Sequence, residues 1–206
     1  MTPANIQFDG DKHAALTVLL AHGAGAPMDS PFMGAMAEGL AARGFGVARF
    51  EFPYMAKRRQ DGKRRGPDKA DKLLESYQSA IDQFDPARLI IGGKSLGGRM
   101  ASMIADTAGV RGLVCLGYPF HPPGKPEKMR TSHLETLTTP ALILQGERDT
   151  FGTRADVEAY KLSASIKVHW LADGDHSFKP RKKSGITETD NLEVALNALG
   201  TFLSAI

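Results

Sequence analysis

The chain has 206 residues, 42% apolar and 24% charged, with 26 basic against 23 acidic side chains for a formal charge of +3. That length and balance predict one globular domain over 1–206 with a sizeable core and exclude a disordered chain; no run of about 18 apolar residues exists to span a bilayer. A single cysteine, Cys115, leaves no internal disulfide to form, and the segment from Met1 to Ile6 lacks the basic and apolar parts of a secretory leader, so a cytoplasmic location is expected.

Residues 5–9 are read as a short edge strand. Residues 15–21 form an apolar run typical of a buried strand, and they lead directly into His22, Gly23, Ala24, Gly25, Ala26 and Pro27. Small side chains there let the backbone approach a ligand, and Ala24 offers an N–H just past the strand end. His22 is read as structural, because no second ligand stands near it at metal spacing. Residues 33–44 carry a helical pattern capped by Gly44, and 46–52 form a strand closed by Pro53. Strand, helix, strand is the repeating unit of a parallel sheet.

Residues 57–67 are the most charged stretch and are read as a loop, having glycines, a proline and no apolar period. Two readings stay open for it: a solvated surface, or a basic rim that attracts an anionic substrate. No aromatic residue interleaves with the cations, which argues against nucleic acid. A helix follows over 68–84, with Leu73, Leu74, Tyr77, Ala80, Ile81 and Phe84 at helical spacing, and Asp85-Pro86 stops it.

Residues 89–105 carry the densest signal. They begin as a branched apolar strand and end as a helix, and Gly93-Lys94-Ser95-Leu96-Gly97 stands between the two. A G-x-S-x-G sequence at a strand-to-helix turn raises its serine above the sheet in a strained backbone conformation. Glycines two residues before and after the serine relieve crowding, and the helix beginning at Leu96 presents unpaired N–H groups beside it. An incidental serine in a glycine-rich turn is the competing reading.

After a strand over 110–117, in which Cys115 reads as a small core residue, a proline-rich loop over 118–126 is expected to overhang the sheet near Ser95. Tyr118, Phe120 and His121 would then line the pocket. Residues 139–145 form a strand ending in the turn Gly146-Glu147-Arg148-Asp149, and a helix is expected over 153–162. The last strand, 167–171, runs into a polar loop holding His176, with Lys179, Arg181, Lys182 and Lys183 behind it, and a helix closes the chain over 190–206. The whole is a mostly parallel α/β sheet of about six to seven strands flanked by helices.

Ser95, Asp149 and His176 each follow a strand end, where parallel sheets gather their ligands, and they come in the order expected when the nucleophile sits on such a turn. Ser95 would attack a carbonyl, His176 would move the proton and Asp149 would fix the imidazole tautomer. The N–H groups of Ala24 and Leu96 would hold the oxyanion. Glu147, Asp173 and Asp175 compete for the acid, and His13, His22, His121, His133 and His169 for the base.

The chain resembles the α/β-hydrolases over nearly its full length, and more narrowly the small Tex30- and KANSL3-like group. The narrower resemblance rests on Gly92 to Arg99, Gly117 to Pro122, Leu144 to Asp149 and Gly174 to Phe178. It implies a minimal hydrolase fold without a cap domain. The sequence departs from larger hydrolases in leaving no room for two leading strands or an inserted lid, which predicts a shallow pocket. No substrate is implied, since the group includes members thought of as complex subunits.

Two functions follow. One is a serine hydrolase cleaving a small acyl ester or thioester, with no cofactor and no metal. The other is a catalytically silent protein that keeps the fold and binds a partner through its basic surface. No G-x-G-x-x-G opens the first strand-helix turn, which argues against a nicotinamide-dependent enzyme.

Overall fold

A computed structural model describes residues 5–206. Met1 to Ala4, which begin the segment read as lacking a secretory leader, lie outside the described residues. Seven strands form one sheet: β1 (Ile6–Asp9), β2 (Thr17–Ala21), β3 (Gly46–Phe50), β4 (Leu89–Lys94), β5 (Gly112–Leu116), β6 (Ala141–Gly146) and β7 (Ile166–Leu171). Six α-helices flank it: α1 (Pro31–Ala41), α2 (Pro53–Asp61), α3 (Ala70–Ile81), α4 (Leu96–Ala108), α5 (Arg154–Glu158) and α6 (Glu188–Ala205). The strand order is β1-β3-β2-β4-β5-β6-β7, with β1 antiparallel to β3 at one edge and the other pairs parallel. This is the α/β hydrolase fold, with no cap domain among the described residues.

Continuous apolar runs make up the central strands because both faces of the sheet are covered. Alternate residues feed two cores. Leu19, Ile91, Leu113 and Ile143 pack with α3 and α4, while Leu20, Ile90, Val114 and Leu144 pack with α1 and α6. β4 sits between β2 and β5, so its carboxyl end is flanked by the ends of both neighbours.

The structure corrects one element. Residues 57–61, expected in a loop, are the second half of α2. Pro53 presets the first helical φ, Tyr54 and Met55 bury the first turn, and Gly62 at φ 69° ends the helix with its N–H donating to the Arg58 carbonyl. Only that first turn touches the core, so the charged remainder carries no apolar period for a sequence reading to find. Two other helices are shorter than expected: α3 ends at Ile81, and α5 is one short element opened by a Thr153–Asp156 capping box.

Candidate active site

Ser95 stands between β4 and α4 with φ 51° and ψ −110°. A non-glycine residue held there stores on the order of 1–3 kcal/mol, which the surrounding contacts must offset. Its N–H donates to the Leu116 carbonyl (3.1 Å), and its own carbonyl accepts from the Arg99 N–H (3.0 Å) to start the helix. The flanking glycines are needed because the turn presses on the end of β2. A Cβ on Gly93 would lie 2.2 Å from the Ala21 carbonyl oxygen, and one on Gly97 would lie 2.3 Å from the same atom. The close approach that excludes side chains here also brings Ser95 beside the segment containing Ala24.

That segment is held from below. His22 is fully buried; its Nδ1 faces the Gly23 carbonyl (2.6 Å) and its Nε2 accepts from the Phe52 N–H (3.1 Å). One nitrogen donates and the other accepts, so the ring is neutral, and burial holds its pKa below the ordinary value. The structural role expected for His22 is the one its bonds describe. Tyr54 adds a second tie, its hydroxyl donating to the Ala24 carbonyl (3.1 Å).

Asp149 and His176 meet across two loops. Asp149 is fully buried, and its Oδ2 accepts from His176 Nδ1 at 2.7 Å. The same oxygen accepts from Gln145 Nε2 (2.9 Å), and Oδ1 accepts from the Phe151 N–H (2.9 Å). Three donors on one carboxylate fix its orientation and leave His176 Nε2 as the free nitrogen. The Phe151 ring lies 4.3 Å from the His176 ring, 30° from parallel. Asp173 and Phe178, which bracket this loop, adopt φ 50° and 70°. With Ser95 they are the positive-φ residues other than glycine among those described. Asn191 on α6 holds the loop by donating to the Ala172 and Phe178 carbonyls (3.0 and 2.7 Å).

Ser95, His176, Ala24 and Phe151 line one cavity of about 320 Å³, together with Phe32 and Met33. That is the small end of the range for ligand sites. Leu96 supplies the first N–H of α4, which has no carbonyl a turn below it in the helix.

The rival residues have other engagements. Glu147 accepts from the Asp173 N–H and pairs with Arg154, Asp173 pairs with Arg148 and Arg181, and Asp175 Oδ1 accepts from the Ser177 and Lys179 N–H groups. His13 is exposed, His169 lies inside β7, and His121 Nδ1 faces the Pro122 carbonyl. Among the described residues, no three His, Cys, Asp or Glu side chains gather as a metal would require.

A second serine–histidine contact needs separate treatment. Ser102 Oγ lies 2.9 Å from His133 Nε2. Ser102 is inside α4 and 3% exposed, and its hydroxyl donates to the Arg99 carbonyl (2.8 Å). A hydroxyl whose proton already goes to a carbonyl accepts from the histidine, the reverse of what a base needs from a nucleophile. The pair joins α4 to the 3₁₀ turn Ser132–Glu135.

The residues expected to line the pocket do not line it. Tyr118 and Phe120 are fully buried and His121 nearly so. The Tyr118 hydroxyl donates to the Arg130 carbonyl, and the Phe120 ring packs on Tyr118 and Tyr160. The His121 N–H donates to the Phe151 carbonyl, which draws the loop inward under the acid turn instead of over the sheet.

Three contributors escaped the sequence reading: Lys94, Gln145 and Phe151. Lys94 and Gln145 carried a signal, each being a polar residue at the end of an otherwise apolar strand. Gln145 bonds Asp149, the Gly152 carbonyl and both backbone groups of Tyr118. Lys94 is 9% exposed, its ammonium donates to the His176 carbonyl, and it lies 5.4 Å from the Phe32 ring centroid. Burial pushes its pKa down to about 8, against the opposing pull of Asp149 and Asp175.

The family model described as "Alpha/beta hydrolase domain" matches residues 14–204. Among solved structures, the chain is similar to Est1E from Butyrivibrio proteoclasticus, with a TM-score of 0.72 and 14% identity over 97% of this chain and 93% of the other. A lidless a/b serine hydrolase from Xanthomonas campestris gives a TM-score of 0.72 and 17% identity over 97% and 88%. A monoacylglycerol lipase from Paleococcus ferrophilus gives 0.71 and 16% over 97% and 99%.

Proposed function

Because the chain belongs to the alpha/beta hydrolase family, we propose that it cleaves a small acyl ester or thioester through a Ser95–His176–Asp149 triad. The observation that carries this reading is the strained Ser95 turn sharing a cavity with a histidine whose Nδ1 is held by a buried carboxylate. Ser95 Oγ bonds to the substrate carbonyl carbon while His176 Nε2 takes its proton. The Ala24 and Leu96 N–H groups receive the oxyanion. Collapse expels the leaving group, which takes the proton from His176, and a water activated by the same nitrogen then hydrolyses the acyl-enzyme. Asp149 stabilises the imidazolium in both halves.

Ester chemistry is the activity named for the lipase that shares the fold, and the small cavity favours short acyl groups over long ones. The motifs from Gly92 to Arg99 and Gly174 to Phe178 support membership of the Tex30- and KANSL3-like group. One domain over 1–206 and a cytoplasmic location belong to the same proposal. Among the described residues, no helix is long and apolar enough to cross a membrane.

The test is labelling of the purified protein with a fluorophosphonate, beside Ser95→Ala. Labelling that disappears in the variant is the expected result. A folded wild-type protein that does not label overturns the reading and leaves the partner-binding alternative.

A further inference from the structure

A second cavity, of about 420 Å³, opens beside the first. It is lined by Ala24, Gly25, Arg58, Arg64, Arg65 and Pro67, with Gly66 between the last two. Ala24 and Gly25 belong to both cavities. The basic chamber therefore begins where the substrate carbonyl oxygen would sit.

The periodicity of α2 explains the arrangement. Tyr54 and Arg58 are four residues apart and share one face of the helix. Tyr54 holds the Ala24 carbonyl, and Arg58 extends along the same segment toward the Gly25 carbonyl (3.5 Å). Arg59 points elsewhere and is consumed by Asp29 and Glu51. The charges lining the cavity are not balanced in this way. Arg65 pairs with Asp61, but among the described residues neither Arg58 nor Arg64 has an ion-pair partner, and no carboxylate lines the chamber. Asp68, at the end of the segment, pairs with Lys72. The other basic segment does not join in: Lys179 and Lys182 border a separate cavity with Glu188, and Arg181 pairs with Asp173. The two basic segments form two surfaces, and the one formed by α2 and the following loop adjoins the cavity that holds Ser95.

We propose that Arg58 and Arg64 form an anion subsite of the active site, selecting acyl esters that carry a carboxylate or phosphate. The proposal rests on the hydrolase reading above. Guanidinium groups suit it because they present paired donors to planar or tetrahedral oxyanions and remain charged at any working pH.

The experiment compares the wild type with Arg58→Gln/Arg64→Gln on matched esters. Phenyl acetate is set against 4-acetoxybenzoate and 4-acetoxyphenyl phosphate, which place the anion on the leaving group. p-Nitrophenyl butyrate is set against mono-p-nitrophenyl succinate, which places it on the acyl group. Loss of two charged hydrogen bonds should lower kcat/KM for the anionic member of a pair on the order of 10- to 100-fold more than for its neutral partner. Which pair responds assigns the anion to one side of the scissile bond, and carboxylate and phosphate are read separately. Equal effects on both members of every pair overturn the proposal. Calorimetric titration with inorganic phosphate separates this failure from failure of the hydrolase reading. Phosphate binding that is lost in the double variant supports the subsite even if no ester is turned over, and no binding to an inactive wild type overturns it.

Discussion

The ammonium of Lys94 donates to the main-chain carbonyl of His176. It links the residue immediately before Ser95 to the backbone of His176. The ammonium lies near the Phe32 and Phe178 rings, 5.4 and 5.8 Å from their centroids. Room for it comes from Gly117, where a Cβ would lie 2.8 Å from Lys94 Nζ. A buried ammonium is thus held by one carbonyl and two rings, an arrangement whose geometric consequence is a fixed distance between Ser95 and the His176 loop.

Replacing Lys94 by Met keeps the volume and removes the link. On the proposed mechanism, kcat should fall about tenfold, corresponding to roughly 1.4 kcal/mol, with a smaller change in KM because the substrate's own contacts remain. The ionisation has a signature of its own. The folded pKa, about 8, lies below the ordinary 10.5. Between those values the unfolded chain binds more protons, so stability rises with pH across that window. Thermal denaturation from pH 7 to 10 should show the wild type gaining on Lys94→Met above pH 8; parallel curves would refute the assignment.

His22 gives the opposite limb. Burial lowers its pKa from 6.5, and its Nε2 is occupied by the Phe52 N–H. The folded state favours the neutral ring, so the stability contributed by His22 is complete above pH 6.5 and is lost as pH falls toward its folded value. His133, also lowered by burial and by Arg99, adds to the same loss. Denaturation between pH 7 and 5 should show a decline that is shallower in His22→Gln. That variant should also be destabilised at pH 7 by about 1–3 kcal/mol, for a disturbed buried bond.

The parts of the site that were legible from sequence are the ones whose chemistry is local. Gly93 and Gly97 announce a turn that must pass close to another backbone, and Ser95 between them needs no distant information. The meeting of Asp149 and His176 is legible because parallel strands end on one edge, so any polar loop after a strand is brought there. The 118–121 loop was misplaced because its path depends on a distant contact, the His121 N–H with the Phe151 carbonyl. Local composition carries no trace of that bond. The length of α2 was hidden for a related reason: a helix that buries only Tyr54 and Met55 shows too little periodicity to be seen.

Gln145 is the position where a single atom exchange should be most informative. Its amide nitrogen donates to Asp149 Oδ2 while its amide oxygen accepts from the Tyr118 N–H. Gln145→Glu would place a second carboxylate about where the amide stands. A carboxylate there cannot donate to Asp149 Oδ2 and repels it, so Asp149 loses one of the bonds that hold it toward His176. Activity should fall at least tenfold at pH 7 on the proposed mechanism, as a loss of kcat with a smaller change in KM. An unchanged kcat would mean that Gln145 serves only the packing of the Tyr118 loop.

Ser102 and His133 supply the last prediction, because a serine 2.9 Å from a histidine invites a catalytic reading. The geometry argues against it at each point. Ser102 is buried inside α4 and already donates to the Arg99 carbonyl, whereas Ser95 is partly open to its cavity at φ 51°. Ser102→Ala should therefore keep fluorophosphonate labelling and ester turnover within about twofold of the wild type. Its stability should drop by about 1 kcal/mol, the usual contribution of one buried hydrogen bond. Ser95→Ala should behave in the opposite way, losing labelling on the proposed mechanism while its stability holds or rises, since among the described residues the Ser95 hydroxyl makes no hydrogen bond for alanine to break. Labelling that survives Ser95→Ala and disappears in Ser102→Ala would transfer the nucleophile to α4 and overturn the assignment of the strained turn.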